Sequence, residues 1–387
     1  MPPSFSHFDL RLIEPAFDDD LVDLIMNLNN LRTRQLSGTT YPLIFFQLKH
    51  IFHTLESIGS ARIEGNRTTI AEYIEAKLEG TPSDMPDIHE IQNMERAMEF
   101  IDQNVRDRHI DRPFVSELHK IIVEGLQPPP NGEGDAAPGA YRTGMVKIAG
   151  SSHLPPEPIQ VPEYMNQLFD FINRGDRQKY DLLKTAIAHH RFVWIHPFTN
   201  GNGRTVRLFT YAMLVKQGFH VEQGRILNPT AVFCSDRNVY YELLSQADKG
   251  TDEAVLTWCR YVLRGLKAEI EKIDRLLAYD FLKAKILLPA LAISFERKLV
   301  TEIELEILRR AVERQVIMAA DIKDLFPGKH AVEISRNIKR LVNNKMLGPV
   351  KENARRYVLR FDNNYLLRGI IRMLDQEGFL PLKGEST

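Results

Sequence analysis

Apolar and polar positions alternate along most of this chain with a helical period. Residues 16–36 and 43–58 place apolar side chains three and four apart, as at Leu48, Ile51, Phe52 and Leu55. Thr68 followed by Glu72 reads as a capped helix start with an acidic first turn, and Pro82 and Pro86 then break the chain. The same spacing predicts helices at 87–105, 113–125, 163–173, 178–195, 204–217, 237–247 and 252–283. Residues 128–162 differ. Pro128-Pro-Pro-Asn-Gly-Glu-Gly is loop, and Gly139 to Ile148 alternates as a strand does. With a turn at Ala149–His153 and a return strand at Ile159–Val161, the segment reads as a hairpin among helices.

Beyond Lys298 the pattern changes again. Helices at 301–314 and 318–326 lead to Pro327-Gly328 and a basic amphipathic helix at 330–345. Gly348-Pro349, a two-stranded ribbon within 350–361 and a helix at 364–376 complete the chain. Helix, helix, turn, helix and ribbon in that order read as a winged helix. The expected fold class is all-α with a small β-hairpin and a C-terminal winged-helix domain. Four regions are expected: an N-terminal helical region at 1–90, a core at 91–265, a connecting helix at 266–300, and the winged helix with its last helix at 301–387.

Composition narrows the function classes. With 387 residues, 43% hydrophobic and 26% charged, the chain is long enough for two or three domains with ample core. Fifty basic against 51 acidic residues give a net charge of −1, which excludes a chain that is basic throughout. The balance is uneven, however. Residues 329–360 hold nine Lys/Arg and two Asp/Glu, a local net of +7 that leaves −8 for the remainder. A basic helix ahead of a basic wing is a footprint for DNA, although the same shape serves protein contacts. Two cysteines are too few for a disulfide framework. No signal-like start is visible, and the longest apolar stretch, Ile286–Ile293, is short and contains Pro289. The expected setting is cytoplasmic, without a membrane segment.

The densest chemistry is His196-Pro-Phe-Thr-Asn-Gly-Asn-Gly-Arg-Thr-Val-Arg207. Pro197 ends one helix, Gly201 and Gly203 allow backbone N–H groups to converge, and a new helix starts near Arg204 with its donors free. Arg204 and Arg207 share a helical face and can fork around phosphate oxygens. His196 is the one titratable base in the loop and can take a proton from an attacking hydroxyl. The pattern suits a polyphosphate ligand. His189 and His190 lack a carboxylate at metal-ligand spacing and read as core.

The loop resembles the Fic family signature, His-x-Phe-x-(Asp/Glu)-Gly-Asn-Gly-(Lys/Arg)-x-x-Arg, at His196, Phe198, Gly201, Asn202, Gly203, Arg204 and Arg207. The resemblance covers most of residues 30–265 and implies a Fic-type helical core with the loop between two central helices. It implies a protein adenylyltransferase, which moves AMP from ATP onto a Ser, Thr or Tyr hydroxyl of a target protein, itself included. By that resemblance His196 is the base, Gly201 to Gly203 hold phosphate, Asn202 fixes the α-phosphate, and Arg204 and Arg207 bind the β- and γ-phosphates. Phe198 anchors the loop. Asn200 stands where the family carries the acidic Mg²⁺ ligand, so metal binding is expected to be weaker and catalysis slower or tightly regulated.

Ser60-Ala-Arg-Ile-Glu-Gly65 resembles the family's inhibitory motif, (Ser/Thr)-x-x-x-Glu-(Gly/Asn), which implies that Glu64 pairs with Arg207 in the γ-phosphate site. Gly139–Ile148 resembles the family's flap, with Arg142 either structural or in contact with nucleotide. Asn238 and Tyr240 fall where Fic proteins place an adenine-side contact, with core packing as the bland alternative. A two-fold homodimer fits helical surfaces of this kind. Two rival readings stand beside the transferase: a nucleic-acid-binding regulator whose Fic core is degenerate at Asn200, and a deAMPylase in which Glu64 positions water at the same loop.

Overall fold

A computed structural model describes residues 5–33, 39–79, 85–148, 151–219, 227, 229–361 and 363–380. Its helices in chain order are α1 (Asp20–Thr33), α2 (Pro42–Glu64), α3 (Ile70–Glu79), α4 (Pro86–Asn104), α5 (Arg112–Val123), α6 (Val161–Asn173), α7 (Asp181–Ile195) and α8 (Asn202–Lys216). There follow α9 (Pro229–Cys234), α10 (Arg237–Ala247), α11 (Asp252–Asp274), α12 (Tyr279–Phe281), α13 (Leu288–Glu296), α14 (Glu302–Arg314), α15 (Ala331–Asn343) and α16 (Asn364–Gln376). The described strands are β1 (Leu347–Pro349) and β2 (Tyr357–Leu359), paired antiparallel with Gly348 opposite Val358. The fold is all-α.

The chain divides into two compact units, and the division falls inside α2. The first contains Met1–Gln35, His53–Thr68 and Pro82–Ile270; the second contains Leu36–Phe52, Thr69–Thr81 and Glu271–Thr387. In the first unit α7 and α8 pack on each other, α4 and α5 cover α8, and α6 covers α7. Their shared core includes Phe192, Trp194, Phe198, Val206, Leu208 and Phe209, all without solvent exposure. The amphipathic pattern is satisfied by this packing: α5 buries Phe114, Val115, Leu118 and Ile122. Asp111 caps that helix, accepting from Phe114 N at 3.0 Å, and Pro113 sits in its first turn, where no N–H is needed.

In the second unit α16 packs on α13 and α3. Ile317 forms a bridge to Tyr357, placing it beside the β1–β2 ribbon. Gln47 holds the far side of that ribbon, donating to Leu359 O at 3.0 Å and accepting from Phe361 N at 2.8 Å.

Several expected elements take another form. The return strand expected at 159–161 is a 3-10 turn, Pro158–Gln160, running into α6. Pro155, Pro156, Pro158 and Pro162 have no N–H to give a ladder, and among the described residues 139–148 form no paired strand. Part of the expected turn, Ala149 and Gly150, lies outside the described residues, as does Pro82. The helix expected at 252–283 ends at Asp274, and a π-helical stretch, Leu282–Leu287, precedes α13. The segment 318–326 is a 3-10 stretch, Ala319–Leu325. The ribbon begins at Leu347 and uses Gly348 and Pro349 as its first strand, with Pro349 exposed at the edge.

Candidate active site

The site lies at the turn between α7 and α8, in the first unit. Pro197 stops α7, and His196 closes it in a left-handed conformation at φ 51° and ψ 63°. A non-glycine residue held there stores strain that the surroundings must fix. Arg142 does this. Its Nε donates to His196 O at 2.8 Å, its Nη2 to Pro156 O at 2.6 Å, and its Nη1 to Gly144 O at 3.1 Å. Its backbone N also donates to Pro197 O at 2.9 Å. These contacts support the structural alternative for Arg142, a cross-link between its own segment at 142–144, Pro156 and the His196–Pro197 turn.

Gly201 follows at φ 74° and starts α8. Asn202 closes the loop on itself, accepting from Phe198 N at 2.9 Å and donating to Phe198 O at 2.8 Å. Its side chain thereby shapes the loop at the start of α8. Phe198 is fully buried and stacks on the His119 ring, with centroids 3.8 Å apart. Gly203 is already helical and has no positive φ. A β-carbon there would overlap Glu64 Oε1, the end of a flexible side chain, in the closed contact.

Arg204 and Arg207 are both buried, at 1% and 0% exposure. Arg207 Nη2 donates to Glu64 Oε1 at 2.7 Å and to Ser60 O at 2.9 Å, while its Nε donates to Ser60 Oγ at 2.8 Å. Ser60 and Glu64 lie one turn apart on α2, so both face the guanidinium. Burial by itself would raise the Glu64 carboxyl, but Arg207 and Arg204 outweigh it and hold its pKa below the usual value. Arg204 Nη1 stands 2.8 Å from Glu90 Oε1, and its Nη2 donates to Glu133 O at 2.6 Å.

Burial pushes the His196 imidazole down to about 4, against smaller opposing effects of the Val193 carbonyl and Glu64. The ring is therefore neutral at pH 7 and carries a free lone pair. Asn200 donates from its backbone N to Asp135 Oδ2 at 3.0 Å and from Nδ2 to Gly134 O at 3.1 Å, with the Glu133 carboxylate 3.4 Å from the same nitrogen. Tyr240 is buried and bonded to His189 Nε2 at 2.9 Å, within an aromatic group of Phe233, Tyr241 and Trp258. Asn238 is exposed in the first turn of α10, where Asp236 caps its backbone N. His190 pairs with Asp248 at 2.9 Å.

The structure adds residues the sequence did not single out. His119 accepts from Gly139 N at 2.8 Å through Nδ1, so its Nε2 donates to Asn200 O at 3.0 Å. Burial drives its pKa to about 4, which keeps both roles available at neutral pH. Glu90, Glu133 and Asp135 also reach the loop. They come from α4 and from 128–140, far from the signature in sequence, and no spacing rule links them to it.

A base, a tight turn and two buried arginines on one helix start form an arrangement of the chemistry that polyphosphates require. The model of the Fic/DOC family matches residues 109–214 of the chain. The protein adenylyltransferase Fic of Nematostella vectensis is 28% identical over 233 residues, 59% of this chain and 48% of that protein. That of Drosophila willistoni is 29% identical over 211 residues, 53% of this chain and 37% of that protein. The chain thus spans about half the length of the curated relatives it matches, or less. A Fic family protein from Desulfovibrio desulfuricans G20 superposes with a TM-score of 0.55 at 19% identity, over 93% of this chain and 98% of that one. A Fic-domain signaling protein from Bacteroides thetaiotaomicron VPI-5482 gives 0.52 at 19% identity, over 67% and 97%. These two share the fold. Among the described residues, no helix is long and apolar enough to cross a membrane.

Proposed function

We propose that the chain is a protein adenylyltransferase that transfers AMP from ATP to a hydroxyl of a target protein, itself included, and that Glu64 inhibits it. The observation carrying this reading is the Arg207–Glu64 contact inside an otherwise complete anion cradle. A carboxylate and a γ-phosphate compete for one guanidinium fork, so the closed contact excludes productive ATP. With Glu64 withdrawn, Arg204, Arg207 and the N–H groups of the α8 start hold the polyphosphate. The target hydroxyl oxygen bonds to the α-phosphorus, the bond from that phosphorus to the bridging oxygen breaks, and pyrophosphate leaves. The neutral His196 ring takes the hydroxyl proton. Arg142 fixes the backbone that aims His196.

Mg²⁺ fits this donor set in part. Asn200 would offer only a neutral amide oxygen, and the Glu133 carboxylate, now facing the Asn200 amide nitrogen, would have to turn to give the anionic oxygen that position 200 lacks. When bound with ATP, Mg²⁺ would neutralise phosphate charge. The proposed regions are an N-terminal one at 1–90 that carries the inhibitory motif, a catalytic core at 91–265, a connecting helix at 266–300 and a winged helix with its last helix at 301–387. The test is transfer of label from α-phosphate-labelled ATP by wild type, Glu64→Gly and Glu64→Gly/His196→Ala. Label on Glu64→Gly that the double variant lacks supports the transferase.

A second reading concerns the C-terminal unit, where α14, the Ile317 bridge, α15 and the β1–β2 ribbon support a winged helix. Arg336 and Lys339 are exposed on α15, and Lys351, Arg355 and Arg356 are exposed between the strands. This basic face supports DNA as a partner. Duplex affinity falling steeply with salt, and weakened in Arg336→Ala/Lys339→Ala, tests it.

A further inference from the structure

The inhibitory motif ends at Gly65, yet the next residue makes the contacts that hold the end of α2 in place. Gly65 adopts φ 115°, and Asn66 N donates back to Ala61 O at 3.2 Å, closing the helix. The Asn66 side chain then reaches α4. Its Nδ2 donates to Asp87 O at 2.9 Å and to Glu90 Oε2 at 2.8 Å, and its Oδ1 accepts from Thr68 N at 2.9 Å. Glu90 is 2% exposed, and its other oxygen stands 2.8 Å from Arg204 Nη1. Both arginines of the cradle are therefore engaged by carboxylates of the chain itself, Arg207 by Glu64 and Arg204 by Glu90. Asn66 joins the two engagements.

We propose that Asn66 and Glu90 form a second latch of the brake: Asn66 clamps the end of the inhibitory helix to α4, and Glu90, held by that clamp, occupies Arg204 while Glu64 occupies Arg207. The latch rests on the adenylyltransferase reading above. Its physical basis is positional. Glu64 lies two residues before Asn66, so a fixed Asn66 limits how far the Glu64 carboxylate can withdraw. Freeing Asn66 loosens the turn, and freeing Glu90 returns Arg204 to an incoming phosphate. Asn66 touches neither arginine, and its effect is transmitted through the helix end and Glu90.

The test compares self-labelling from α-phosphate-labelled ATP in the full chain for Asn66→Ala, Asn66→Asp and Asn66→Asp/Glu90→Gln, alone and with Glu64→Gly. Asn66→Ala is expected to raise labelling about 5-fold in the wild-type background, at the lower end of usual coupling between sites. It should change it less than about 2-fold beside Glu64→Gly. Asn66→Asp, which faces Glu90 with a like charge, should also release the brake. Adding Glu90→Gln restores a donor–acceptor pair of reversed direction at the clamp but leaves Arg204 without its carboxylate, so labelling should stay above the wild-type rate. An unchanged Asn66→Ala rate, or an equal rise in both backgrounds, overturns the latch. Hydrogen exchange of amides 60–66 provides a readout independent of catalysis. Faster exchange in Asn66→Ala supports the clamp, and unchanged exchange overturns it. Absence of labelling in Glu64→Gly itself would instead count against the transferase reading, leaving the exchange result to decide the clamp.

Discussion

Glu64 and Arg207 meet at 2.7 Å at the base of the anion cradle, where Arg207 is fully buried and the Glu64 side chain is 26% exposed. One partner is fixed in the core and the other sits on the end of a helix with a route to solvent. The contact can therefore open by moving Glu64 alone. The pKa of Glu64 lies below its usual 4.5, with burial opposing and the arginines prevailing. A depressed carboxylate stabilises the closed state above its unfolded pKa and loses that effect only as pH falls through the folded value. The ratio of Glu64→Gly to wild-type labelling should therefore stay flat between about pH 6 and 8. A ratio that collapses in that window would assign the brake to another group.

Gly203→Ala tests the close approach of Glu64 to α8. An alanine there suits a helix, adding up to about 1 kcal/mol of propensity relative to glycine, so folding should survive. Its β-carbon overlaps Glu64 Oε1, the end of a flexible side chain, and would push it off Arg207. The same methyl crowds the phosphate cradle. Inhibition should weaken while KM for ATP rises, and titration of ATP against labelling rate separates the two.

Arg142→Lys removes a planar fork that serves several carbonyls at once, and a lysine ammonium cannot span them. A loss of about 2–4 kcal/mol is expected from the buried carbonyls left behind, measured by denaturant unfolding. In the Glu64→Gly background kcat should fall more than KM rises, because His196 is mis-aimed while the arginines remain.

Glu56 carries a pH signature of its own. It is fully buried, and its Oε1 accepts from Thr230 N at 2.8 Å. Burial raises its pKa from 4.5 to about 8, against Thr230 and Arg207. A raised folded pKa gives stability that is present below the unfolded value and lost as pH rises through the folded one. His119 and His196, lowered to about 4, act in the opposite sense and only between that value and 6.5, where stability grows with pH. Above 6.5 the Glu56 effect is isolated from theirs. The melting temperature should fall from pH 6.5 to 8.5 in wild type and flatten in Glu56→Gln.

The sequence made the helical class and the central loop readable because both are local. Period and Pro197 mark α7, and His196, Gly201, Arg204 and Arg207 occur within twelve residues. What it hid depends on contacts across the fold. Gly203 looks like a residue for a left-handed turn, and only the fold shows it in a helix against Glu64. Asn202 looks like a phosphate ligand, and only the fold shows its bonds to Phe198. His119, Glu90 and Asp135 carry no motif, because their roles come from where α4, α5 and the 128–140 loop pack. The hairpin reading of 139–161 failed where prolines remove the donors that alternation alone cannot reveal.

The most direct test of the account is labelling from α-phosphate-labelled ATP by wild type, Glu64→Gly and Glu64→Gly/His196→Ala in parallel. Release of an internal competitor should raise incorporation by about 10–100-fold in Glu64→Gly, and loss of the base should abolish most of that gain. Equal incorporation in wild type and Glu64→Gly, or incorporation that survives His196→Ala, would contradict it.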